Sequence, residues 1–162
     1  MSDIPWTHST DRFDKMWLDE VEKSPNGASP DYIPDVLETM FSQQREQMAD
    51  YREMYADGTP GGNPVPHEDL WGDLWSPATQ ASLRENAGYV VEELYEAINL
   101  LKNKPWKQTH KEVNIADFME EVADVWHFFI QFHIVAGLSV TDVFEQYFSK
   151  ALENGKRRAE GY

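Results

Sequence analysis

Two acidic clusters, EELYE at Glu92 to Glu96 and EEVAD at Glu120 to Asp124, supply the residue types that a divalent cation needs. Residues three and four apart share one face of a helix, so Glu93 with Glu96, and Glu121 with Asp124, can each aim two carboxylates at one spot. Four converging oxygen ligands make a magnesium site. Either pair alone also reads as a solvated acidic face. The second pair, however, lies within an apolar stretch, Phe118, Met119, Val122, Ala123, Val125, Trp126, Phe128, Phe129 and Ile130, which predicts an interior position. A buried carboxylate requires a cation or a partner. Together the two clusters give a pair of facing helices the means to hold metal ions between them.

Four segments must position these groups. Val36 to Tyr55 predicts a helix whose apolar stripe is interrupted by glutamines at 43, 44 and 47, which are candidates for polar contacts. Ser76 followed by Pro77 gives an N-cap and a first-turn proline, opening a helix to about Lys102 that Gly88 could weaken. Ile115 to Ala136 is the most apolar helix, with Gly137 as its stop. Ser139 with Asp142 has the spacing of a capping box and starts a last helix through about Asn154. The Pro- and Gly-rich stretches Ser24 to Pro34 and Ala56 to Pro66 predict loops, and no segment alternates with a two-residue period. The fold class expected is all-α, a bundle of four to five main helices, with residues 1–34 as an arm or poorly packed segment and 35–162 as a single catalytic domain.

With 162 residues, eight phenylalanines, six tryptophans and seven tyrosines, the chain can bury a real core. The absence of cysteine excludes disulfides, thiolate metal sites and cysteine nucleophiles, so any metal must sit on oxygen or imidazole. A formal charge of −15, from 29 acidic against 14 basic residues, argues against a protein that grips a nucleic-acid backbone. Bound divalent ions can still reverse the local field for a small phosphorylated ligand, and cations gather at Lys150, Lys156, Arg157 and Arg158. The opening MSDIPWTHST lacks a basic segment followed by an apolar run, and no window has the length a membrane span needs. A soluble, cytoplasmic protein with no membrane partner is expected.

These residues carry a resemblance. EELYE followed by EEVAD resembles the EExxE…ExxD signature of the all-α NTP pyrophosphohydrolase superfamily, which includes MazG-like enzymes and the dimeric dUTPases. More narrowly, PWK at Pro105 to Lys107, DVWHFF at Asp124 to Phe129 and the closing KALENGKRRAEGY are similar to the dimeric dUTPase and phage dCTP pyrophosphatase branch. The resemblance runs from about Val36 to Tyr162 and is strongest after Val90.

It implies hydrolysis of a pyrimidine deoxynucleoside triphosphate, dUTP or dCTP or both, to the monophosphate and pyrophosphate. The cofactor implied is Mg2+, two or more ions, with Mn2+ as an alternative. Glu93, Glu96, Glu121 and Asp124 correspond to the metal ligands, and Glu93 or Glu96 could take the proton of the attacking water. Arg157 and Asn154 resemble a phosphate-binding stretch, with Lys150 one helical face away, and Lys107 of PWK could reach a phosphate; the ordinary alternative for the C-terminal cations is a helix end whose dipole favours them. Trp106 could wall the base or merely anchor its loop. His127 could contact the nucleotide, support a ligand carboxylate or be satisfied by a backbone carbonyl. Gln44 and Gln47 stand where that branch reads the pyrimidine, against a solvated helix face as the plainer account. Asn99 replaces an aspartate found in the trypanosomal branch, so a fifth acidic ligand is in doubt. The resemblance further implies a homodimer in a phage's nucleotide metabolism, hence in the host cytoplasm. The competing readings are a MazG-like hydrolase of purine or non-standard nucleotides, and a non-catalytic helical interaction protein.

Overall fold

Local caps decide where the helices begin. In a computed structural model, which describes residues 35–54, 56, 65–108 and 110–161, the side chain of Ser76 caps Thr79 and Pro77 occupies the first turn of its helix. The capping box at the last helix is complete: Ser139 Oγ accepts from the Asp142 amide at 3.1 Å, and Asp142 Oδ2 accepts from the Ser139 amide at 2.8 Å. Asn114 adds a cap absent from the sequence reading, with Oδ1 accepting from the Ala116 amide at 3.1 Å and the Asp117 amide at 3.5 Å.

Among the described residues four α-helices follow in order: α1 Val36–Met54, α2 Pro77–Leu100, α3 Ile115–Val135 and α4 Val140–Ala159, with a 3₁₀ turn at Glu68–Leu70. No strand occurs among the described residues, so the all-α expectation holds. Helix α4 runs five residues past its expected end at Asn154. Gly155 is tolerated inside it, and Lys156, Arg157 and Arg158 place cations in the last turn, where the helix dipole favours them. Gly88 does not interrupt α2. The expectations for residues 1–34, Tyr55 and most of the Ala56 to Pro66 loop lie outside the described residues.

Two compact units divide the chain between Thr39 and Met40, and the second, Met40–Tyr162, holds most of α1 and all of α2, α3 and α4. Its dominant packing is α2 against α3. Tyr89 meets Phe128 with ring centroids 4.9 Å apart while Glu93 neighbours Glu121, so the two helices run antiparallel. Among the described residues the buried apolar ones are Phe41 and Met48 of α1, Ala97 of α2, and Ile130, Ile134 and Val135 of α3. Burying such side chains contributes about 1.5–3 kcal/mol each for the larger ones.

At the end of α3 the backbone closes as a Schellman motif. The Gly137 amide donates to the Ile134 carbonyl and the Leu138 amide to the His133 carbonyl, with Gly137 at φ +75°. The Gly72 amide donates to the Val135 carbonyl at 3.0 Å, and a Cβ on Gly137 would lie 2.5 Å from the Gly72 Cα. Two glycines therefore let the segment before α2 cross the end of α3 at backbone contact.

One expectation is corrected. Of the apolar run on α3, only Ile130 is buried; Phe118, Val122, Val125 and Phe128 are half-buried, and Met119, Ala123, Trp126 and Phe129 are exposed. Among the described residues, α2 and part of α1 cover α3, and an all-round apolar helix has more surface than those two elements reach. Helix α4 shows the same excess, with no buried residue and with Phe144, Tyr147, Phe148 and Leu152 exposed.

Candidate functional site

The antiparallel pairing of α2 with α3 brings the two acidic clusters face to face. One carboxylate oxygen each from Glu93, Glu96 and Glu121 lies within 4.8 Å of the others. Glu93 and Glu121 are half-buried and Glu96 is exposed. Three oxygen donors at that spacing, from two rigid helices, can hold a hard divalent cation, with water completing its shell.

Electrostatics express the same crowding. Glu93 is pushed above the usual carboxylate range, by burial first, then by the charges of Asp124, Glu96 and Glu121, and by a hydrogen bond with Glu121. Glu121 is also raised, by burial first and then by Glu96, Asp124 and Glu120. A cation would relieve this repulsion, which is how such a cluster stores affinity for one. Asp124, half-buried, is not in the close group of three but acts on two of its members through its charge. Glu92, in the same EELYE run, is exposed and outside the group.

On another face of α3, that helix and α1 line a cavity of about 220 Å³ whose lining includes Gln43, Gln44, Trp126, His127 and Ile130. Ala123, Trp126, His127 and Ile130 follow helical spacing, so α3 gives one face to the cavity and another to the carboxylates. His127 falls between, about 60° round the helix from Asp124 at 100° per residue. Its Nδ1 lies 2.8 Å from Gln44 Oε1, and Gln44 Nε2 donates in turn to Gln131 Oε1 at 3.3 Å. Gln44 and Gln131 are each only 5% exposed.

The other expected site residues fall elsewhere. Gln47 is half-buried on α1 and does not line the cavity. Trp106 is 75% exposed in the connector between α2 and α3, with Lys104 Nζ 5.6 Å from its ring centre. Lys107 is exposed there, its amide donating to the Lys104 carbonyl. On α4, Lys150 pairs with Glu153 at 2.6 Å and Arg157 pairs with the same carboxylate, while Asn154 is exposed. Lys150 and Arg157 thus flank Glu153, each about one helical turn from it. The sequence reading missed Gln131; its signal was a single amide in the apolar run from Trp126 to Val135.

No family model matches the chain and no solved structure matches it. Among curated proteins the chain is similar to a dCTP pyrophosphatase of Enterobacteria phage LZ5, with 28% identity over 105 residues that cover 51% of this chain and 61% of the phage protein. The match therefore spans about three-fifths of that relative's length.

Proposed function

We propose that this chain hydrolyses a pyrimidine deoxynucleoside triphosphate, dCTP or dUTP or both, to the monophosphate and pyrophosphate with magnesium as cofactor. The observation that carries the reading is the convergence of Glu93, Glu96 and Glu121 from two helices, with the charge of Asp124 on them; another face of α3 helps line a cavity with an amide and an imidazole. Similarity to the phage dCTP pyrophosphatase supports nucleotide pyrophosphate hydrolysis in general. The cavity, smaller than the roughly 300–1,000 Å³ of drug-sized pockets, suits a single heterocyclic ring.

In this reading, Glu93, Glu96, Glu121 and Asp124 would hold magnesium, which neutralises triphosphate oxygens and lowers the pKa of bound water. The raised pKa of Glu93 suits it to exchange a proton with the attacking water. Gln44 and His127 would face the base. Arg157 and Lys150 would leave Glu153 for phosphate oxygens, a small cost because exposed ion pairs are worth about 0–1 kcal/mol. Trp106, Gln47, Asn154 and Lys107 keep their roles only as parts of this proposal. The uncovered apolar faces of α3 and α4 support a homodimer.

Replacement of Glu121 with Gln tests the catalytic role. Pyrophosphate release from dCTP or dUTP should fall at least about 100-fold with helicity by circular dichroism unchanged. Activity retained in that variant would make the cluster a solvated acidic face.

A further inference from the structure

The amides of Gln44 and Gln131 and the ring of His127 form one chain of hydrogen bonds, and its two ends differ. At the outer end His127 is exposed and lines the cavity; with Nδ1 engaged by Gln44, only Nε2 is left to meet a ligand. At the inner end Gln131 Nε2 is buried and has no hydrogen-bond partner. A buried amide nitrogen without an acceptor costs about 1–3 kcal/mol, so its presence calls for an explanation.

The chain has two polarities with the same number of internal bonds. In one, His127 Nδ1–H donates to Gln44 Oε1 and Gln44 Nε2 donates to Gln131 Oε1, which leaves His127 Nε2 as an acceptor. If both amides turn over, Gln131 Nε2 donates to Gln44 Oε1, Gln44 Nε2 donates to Nδ1, and His127 Nε2 carries the proton as a donor. A fixed partner on the amide atom of Gln131 that faces away from Gln44 would lock one polarity. None exists among the described residues, because that atom is the one left unpaired.

We infer that Gln131 is a positioning residue that lets Gln44 and His127 reverse together, so that one cavity accepts either the exocyclic amine of cytosine or the O4 carbonyl of uracil. This rests on the pyrimidine reading above. An acceptor Nε2 pairs with the amine, and a donor Nε2 pairs with the carbonyl. The exchange moves one ring proton between the two nitrogens of His127 and turns two side-chain amides, with no change in net charge. The unpaired inner end is what makes the two polarities nearly equal in energy.

Two measurements test this. The first uses the unaltered protein with 15N-labelled histidine, titrated with dCMP and then with dUMP, and reads the ring nitrogens of His127. The expected result is the Nδ1–H tautomer with dCMP and the Nε2–H tautomer with dUMP; one tautomer with both would overturn the relay. The second compares kcat/KM for dCTP and dUTP in the native protein and in Gln131→Glu at mildly alkaline pH. An ionised glutamate only accepts, which fixes Gln44 Nε2 toward it and His127 Nε2 as acceptor. The dCTP to dUTP ratio should rise about tenfold. Native turnover of both nucleotides with an unchanged ratio in the variant, or native turnover of only one, would overturn the relay alone. Native turnover of neither would overturn the pyrimidine reading itself.

Discussion

Glu93 on α2 and Glu121 on α3 bring carboxylate oxygens within 4.8 Å of each other across the helix pair, and both are raised above the usual carboxylate range. Burial comes first for each, and neighbouring carboxylates add to it. A proton on either acid relieves the same repulsion that a cation would relieve.

The sign of the pH dependence follows. A carboxyl raised in the folded state binds protons more tightly there than when unfolded, so its protonation favours folding. That contribution is fully present below the unfolded pKa and is lost as pH rises through the raised folded values of Glu93 and Glu121. The metal-free protein should therefore lose thermal stability from this cluster as pH rises from the ordinary carboxylate range toward neutrality. Magnesium should restore it near neutral pH and act progressively less as acid displaces it. Melting curves in chelator and in magnesium across that range check both signs.

Gly137 should resist substitution. At φ +75° an L side chain is strained by about 1–2 kcal/mol, and its Cβ would in addition meet the Gly72 backbone at 2.5 Å. Gly137→Ala is expected to destabilise by at least about 2 kcal/mol in urea unfolding. Gly88→Ala, in mid-helix where an added Cβ meets nothing within 4 Å, is expected to stabilise by about 0.5–1 kcal/mol.

The exposed stripe Phe144, Tyr147, Phe148 and Leu152 gives α4 an apolar face that the described chain leaves uncovered. If a second copy covers it, sedimentation at micromolar concentration should give a dimer, and Phe148→Glu should shift the protein toward monomer without loss of helicity. A native monomer would count against the dimer.

Short-range chemistry was legible in the sequence because it needs only neighbours. Ser76 with Pro77, Ser139 with Asp142, and Gly137 each act within a few residues, and each does what its type implies. Asn114 could have been read in the same way, since an asparagine directly precedes Ile115 and Asp117 stands at the third helical position. The end of α4 was not legible, because Gly155 suggests a stop and only the helix context shows it tolerated. Helical periodicity brought Glu93 and Glu96 onto one face and Glu121 onto the other, but only the antiparallel pairing brings the faces within ligand distance. The burial of α3 was overestimated because apolarity states what a helix would bury, not what is available to cover it. Gln131 could not be found by spacing, since its partner Gln44 lies 87 positions away on another helix.

The most direct test is incubation of the purified protein with magnesium and each of the common ribo- and deoxyribonucleoside triphosphates, followed by assay for pyrophosphate and monophosphate. Turnover should be confined to dCTP, dUTP or both, and chelator should abolish it. Turnover of purine nucleotides, or of none, would contradict the proposed function.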